Sequence, residues 1–188
     1  MKRLKSRWYF LLMLLAGCGG PYTRIEQPQY TAANQAYSVQ LPVGWVQASL
    51  PQKPDVLTFS RDGFSLQSIS VSNAKHDKAF PQLKKAVSTT MLATDIAENQ
   101  LSEIKATNPN PASIQVLENK LVNLSSGKAC RLHLRYLNDK GLRFEQVTYG
   151  LVGKQYYYTL TYTAPSLHYF PRDKQVFEQV VNSFNAKL

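Results

Sequence analysis

Arg131, His133 and Arg135 alternate along one stretch of the chain, and Arg143 with Glu145 follows an Asp139-Lys140-Gly141 turn signal. Alternate side chains of a strand share a face, so two antiparallel strands joined at that turn would gather these groups into a basic patch. Such a patch suits an anion or an acidic partner. The plainer alternative is a solvated sheet face laced with ion pairs. Tyr156, Tyr157 and Tyr158 run on towards Tyr162, with Tyr136, Tyr149 and Tyr169 nearby. Alternation sends Tyr156, Tyr158 and Tyr162 to one face and Tyr157 to the other. Tyrosine packs well in strands beneath a helix, and an exposed tyrosine face suits protein or glycan recognition. The candidate binding residues are therefore Arg131, His133, Arg135, Arg143, Tyr156 and Tyr158.

Catalytic chemistry is not legible. His76, His133 and His168 lie far apart, without the short spacings from which zinc sites are built. No Gly-x-Ser-x-Gly elbow, phosphate-binding loop or dinucleotide glycine pattern occurs. Only 12 Asp and Glu are scattered over 188 residues, which argues against a glycosidase pair or a calcium loop. The expectation is a protein that is not an enzyme and carries no metal.

The N-terminus sets the compartment. A basic start (Lys2, Arg3, Lys5, Arg7) precedes a short apolar run over 8–16, the layout of a secretory signal too short to span a bilayer as a mature helix. The run ends Leu15-Ala16-Gly17-Cys18, which resembles the lipobox of bacterial lipoproteins. That resemblance implies cleavage before Cys18 and a covalent diacylglycerol and N-acyl lipid on its thiol, with no other cofactor. Several acyl chains anchor far more firmly than one, at roughly 0.8 kcal/mol per buried CH₂. In this family an Asp after the Cys signals inner-membrane retention. Gly19 stands there instead, so the resemblance implies the outer membrane, facing the periplasm. Gly19-Gly20-Pro21 and the polar residues to 35 read as a flexible tether. With Cys18 lipidated, Cys130 has no disulfide partner; it alternates with Leu132 and Leu134 along a strand and reads as a small buried hydrophobe.

The composition, 44% hydrophobic and 18% charged, is that of a globular domain. The formal charge of +10 falls to about +6 once the four N-terminal cations are removed, since 18 basic then face 12 acidic side chains. That moderate excess favours an anionic lipid or acidic partner. Basic and aromatic residues interleave as in nucleic-acid binders, but an exported address leaves no nucleic acid to bind.

Positioning these groups falls to an α+β domain over 36–188, after a signal at 1–17 and a tether at 18–35. Strands are expected at 37–41, 56–61 and 64–72, the last two joined through Asp62-Gly63. Phe80, Leu83, Val87, Met91, Leu101 and Ile104 recur at helical intervals, predicting a helix over 80–106. Four strands of a meander follow at 113–124, 128–138, 142–152 and 155–164. A stripe of Val176, Phe177, Val180, Val181 and Phe184 closes the chain as a helix over 170–187. The sum is a twisted antiparallel sheet of about six or seven strands with helices packed on its faces. The Leu41-Pro42-Val43-Gly44-Trp45 opening and the element order together resemble the PsbP-like α/β/α sandwich, and within it the DcrB-like lipoproteins. That fold is mostly used by non-catalytic binding and assembly modules. The resemblance implies a membrane-anchored envelope lipoprotein that binds a protein partner. The alternative is a carrier of an envelope ligand such as lipid, glycan or metal.

Overall fold

A computed structural model describes residues 22–49 and 55–187. The signal, Cys18 and the start of the tether lie outside the described residues.

The described residues form eleven strands and two α-helices in the order β1 (Tyr22–Arg24), β2 (Gln29–Thr31), β3 (Tyr37–Gln40), β4 (Val46–Ala48), β5 (Val56–Ser60), β6 (Ser68–Lys75), α1 (Ala93–Thr107), β7 (Gln115–Leu124), β8 (Gly127–Leu137), β9 (Arg143–Val152), β10 (Tyr156–Pro165), α2 (Tyr169–Ser183) and β11 (Asn185–Ala186). Eight strands form one antiparallel sheet in the order β1-β4-β5-β6-β10-β9-β8-β7, and β11-β3-β2 form a second, small sheet. The meander of the last four long strands is as the turn signals predict. Gly141 closes the β8–β9 hairpin at φ +74°, a conformation that costs glycine no steric strain.

Several expectations give way. The main sheet has eight strands rather than six or seven, and the strand at 37–41 belongs to the small sheet. The strands the main sheet gains are β4, which follows the Gly44 turn, and β1; residues 22–35, expected to be tether, hold both β1 and β2, the latter in the small sheet. Both are short and mostly exposed, so neither carries a period-two apolar signal, yet Ile25 and Ala32 are buried. Ile25 N–H also donates to Trp45 O at 2.8 Å. The long middle helix is shorter than its periodicity promised. Phe80 and Lys85 pair as an isolated bridge, Lys84 sits at φ +53°, and helix begins only at Ala93. The apolar residues at 80, 83, 87 and 91 do cluster, but as plugs from a loop, because the β-branched and hydroxyl run Ser88-Thr89-Thr90 favours extended chain. Finally, α2 stops at Ser183 so that Asn185–Ala186 can pair with β3.

The two helices lie against opposite sides of the main sheet. Cys130 of β8 meets Gln100 of α1, while its neighbour Arg131 meets Glu178 of α2; adjacent strand residues point to opposite faces. On the α2 side Phe59, Ile69, Tyr158, Tyr162, Phe177 and Phe184 are fully buried, together with the small sheet. Trp45 closes one end, 6.1 Å from Phe59 edge to face. The turn before it needs Gly44 at φ +86°. The α1 side is thinner: α1 buries only Ile96, Ala97 and Gln100. Beyond it the sheet shows half-buried Thr58, Ser70, Ser72, Thr159 and Thr161.

Candidate functional site

β8 and β9 do bring the basic residues together, since Arg131 pairs with Tyr149, His133 with Val147, Arg135 with Glu145 and Leu137 with Arg143. All lie on the α2 side of the sheet. The patch, however, is internally compensated. Arg131 is buried; it donates through Nε to the Tyr149 hydroxyl at 2.9 Å and pairs with Glu118 and, at 3.5 Å, with Glu178. Tyr149 in turn donates to Glu178 Oε2 at 2.7 Å. Burial, reinforced by Glu178, pushes the Tyr149 phenol up to about 12, so it stays a donor. Glu145 accepts from His133 Nε2 at 2.8 Å and Arg135 Nη2 at 3.0 Å. Burial holds His133 below the usual imidazole range despite that carboxylate, and its ring stacks on Phe170 at 5.3 Å. What remains open is the end of the patch. Arg135 and exposed Arg143 line a cleft of about 290 Å³ with Ser113 and Gln115.

The tyrosines are structural. Tyr158 is 0% exposed and donates its hydroxyl to Ala36 O at 3.0 Å, which removes it from any contact surface. Tyr156 is half-buried and packs on Tyr158 at 6.1 Å. Tyr162 reaches Tyr169 O at 2.7 Å. Their rings cement α2 and the small sheet to β10, as large amphipathic rings do when their hydroxyls find acceptors. A second buried group on this side is Asp173, fully buried at the start of α2. It accepts from Arg61 at 3.2 Å, Gln67 at 3.1 Å and Arg172 Nε at 3.0 Å, so it ties the β5–β6 turn to the helix.

The α1 side holds what the residue patterns did not announce. Gln100 Oε1 accepts from Cys130 Sγ at 3.0 Å and from the Tyr157 hydroxyl at 2.8 Å, and its Nε2 is buried without a partner. Burial raises the Cys130 thiol to about 11, so it is inert as a nucleophile near neutrality and fills the role of a small buried side chain. Gly150 makes this arrangement possible. A Cβ there would fall on Gln100 Oε1 and the Tyr157 hydroxyl, and 2.9 Å from Cys130 Sγ. Next to this cluster opens a cavity of about 630 Å³ between the start of α1 and β8–β9, walled by Met91, Ile96, Leu121, Cys130 and Val152. On the other side of Gln100 a smaller cleft of about 190 Å³ is lined by Phe80, Glu103, Gln146, Thr159 and Thr161. The signal for the first cavity was Gly150 itself, a glycine in the middle of an otherwise bulky strand, which marks close approach.

The outer edge of the sheet, β7, is ten residues long and exposed at seven of them. It bears Val116, Leu117 and Leu121 on the surface. A bulge between Val116 and Glu118 interrupts its register. No group of three His, Cys, Asp or Glu side chains placed to hold a metal occurs among the described residues, and none of the described helices is long and apolar enough to cross a membrane.

A sheet of this order, backed by α2 and only part-covered by α1, is the PsbP-like fold. The chain matches no protein-family model and no curated protein. Among solved structures it is similar to the cyanobacterial PsbP protein CyanoP from Synechocystis, at a TM-score of 0.59 and 18% identity over 92% of this chain and 98% of that one. It is also similar to a Pseudomonas aeruginosa protein of unknown function, at 0.52 and 12% identity over 84% and 95%. The Saccharomyces cerevisiae Ran-binding protein Mog1p matches at 0.51 and 12% identity over 86% and 96%. At such identities the likeness is one of fold.

Proposed function

We infer that this chain is a non-catalytic binding module of the bacterial cell envelope. It is held to the outer membrane, on the periplasmic side, through a lipidated Cys18, and it takes an extended segment of a partner protein along the free edge of β7. The carrying observation is β7 itself. An edge strand presents a row of unpaired N–H and C=O groups, and a strand from a partner is what satisfies them. The opposite edge, β1, offers three residues; β7 offers ten, with an unbroken register from Glu118 to Leu124 and apolar side chains beside it. Yeast Mog1p, which shares the fold, is a Ran-binding protein, and protein binding is the use supported here. The buried charged groups Arg131, Glu145 and Asp173 are committed to ion pairs. A second reading, capture of a small envelope ligand, is supported by the cavity beside α1.

Two measurements test the leading reading. Intact mass of the membrane-extracted protein should show a chain beginning at acylated Cys18, and Cys18→Ala should abolish both acylation and membrane retention. A photo-crosslinking residue at Asn119 or Asn123 should capture an envelope protein that the same residue at Lys75 does not. Of two adjacent positions in an edge strand one directs its N–H outwards, so either Asn119→Pro or Lys120→Pro should lose the crosslink while the domain stays folded. Capture equal from Lys75, or binding that survives both prolines, refutes strand addition.

A further inference from the structure

The cavity beside α1 borders β7 through the Leu121 side chain, but its chemistry differs from that of the edge backbone. We propose that it binds a single-chain anionic amphiphile, with the acyl chain between Met91, Ile96, Leu121 and Val152 and the head group at Lys128. Its volume of about 630 Å³ falls within the roughly 300–1,000 Å³ of ordinary small-molecule sites. At roughly 30 Å³ for each water-sized group, that is room on the order of twenty methylenes, one acyl chain with its head rather than a pair of chains.

The lining selects the ligand. Of its twelve residues, Lys128 is the charged one, and it enters none of the ion pairs formed among the described residues. Lys128 shares the α1 face of β8 with Cys130, so its ammonium belongs to the mouth and not to the compensated patch on the other side. The α1 terminus at the same mouth has no side-chain cap, and Asp95 is the one carboxylate in its first turn; the uncapped N–H groups favour an anion there, which Asp95 offsets in part. The rim is apolar: Leu92 is 67% and Leu121 56% exposed. A chain entering between them removes that surface from water, at roughly 25 cal/mol per Å² covered. The floor is Cys130 and Gly150, whose small size leaves room where larger residues would fill the cavity.

In the full-length protein, native mass spectrometry should find one myristate per chain, and the melting temperature should rise as myristate is added. Tetradecanol, with the same chain and no charge, should need about tenfold more for the same occupancy, a difference of 1.4 kcal/mol. Lys128→Glu should erase that difference. Thr94→Trp fills the mouth from an exposed position and should abolish both the bound mass and the thermal shift without lowering the melting temperature of the free protein. A lysophospholipid that outcompetes myristate identifies a membrane lipid as the source; the reverse identifies a free fatty acid. The proposal fails if no myristate is retained, if the bound mass persists in Thr94→Trp, or if tetradecanol binds as well as myristate. Crosslinking from Asn123, which lines neither this cavity nor the cleft that Thr94 shares with Asn119, Lys120 and Leu121, should be unchanged by Thr94→Trp, so this site and the strand-capture site succeed or fail separately.

Discussion

The two faces of the main sheet are built from different materials. On the α2 side Tyr158, Tyr162, Phe177 and Phe184 leave nothing exposed, and the rings meet one another at centroid distances of 5.5–5.7 Å. On the α1 side, the helix rests on Ile96, Ala97 and a glutamine whose amide nitrogen lacks a partner. Clefts open on both sides of that glutamine. A densely packed face resists any change of volume, whereas a face with voids has already given up contacts. The α2 side therefore holds the fold together, and the α1 side, with the adjoining edge of β7, is free to bind.

The largest effect should come from Phe177→Ala, which removes the ring that meets Tyr149 at 5.9 Å and Tyr162 at 5.7 Å. A loss of about 3–5 kcal/mol is expected from urea unfolding. Ile96→Ala, its counterpart on α1, should cost about 2 kcal/mol, the low end for such truncations, because Ile96 already borders a cavity. Equal losses would break the contrast. Asp173→Asn should cost less, about 1–2 kcal/mol: it weakens the hydrogen bonds from Gln67, Arg61 and Arg172, but Arg61 is half-exposed and Arg172 keeps Asp62. The midpoint of urea unfolding should shift with little change in slope.

Gly150→Ala sharpens the comparison from the thin side. The new methyl meets Gln100, Tyr157 and Cys130, and overpacking of this kind costs about 1–3 kcal/mol. Gln100→Ala should relieve much of it, so the double variant should be more stable than the sum of the singles predicts. Additivity would mean that Gly150 is not held by Gln100.

Legibility follows the same division. The α2 side was readable because it is regular. The stripe of Val176, Phe177, Val180, Val181 and Phe184 falls on the buried side, and alternation through Tyr156–Tyr158–Tyr162 assigned the faces correctly. The α1 side was misread because apolar residues at 80, 83, 87 and 91 serve a loop while keeping helical spacing. No local rule separates those uses when the decision is made by the sheet beneath. Strands β1 and β2 were lost to composition: a three-residue strand exposed on both faces looks like a tether. Alternation predicts the basic patch as a juxtaposition, and β8 and β9 form it; of its two readings, the ion-paired face is the one the contacts resemble. Its neutralising partners, Glu118 and Glu178, arrive from β7 and α2, distances in sequence over which spacing says nothing.

The smallest effect should come from His133, on the rim where the two materials meet. It faces Glu145, Arg131, Arg135 and Lys174 and is stacked on Phe170. Burial lowers its pKa first; the Glu145 carboxylate opposes that, and the cations of Arg131 and Lys174 add to it. A depressed pKa means that the unfolded chain binds the proton first as pH falls. Stability attributable to His133 is therefore complete above the unfolded value near 6.5 and declines as pH falls from there towards the folded value. His133→Gln, which keeps a donor towards Glu145, should flatten that part of the stability-against-pH curve by less than about 1 kcal/mol and leave the plateau above pH 7 in place. A slope of opposite sign would mean that Glu145 outweighs burial, and that the rim of the α2 side is wetter than its core.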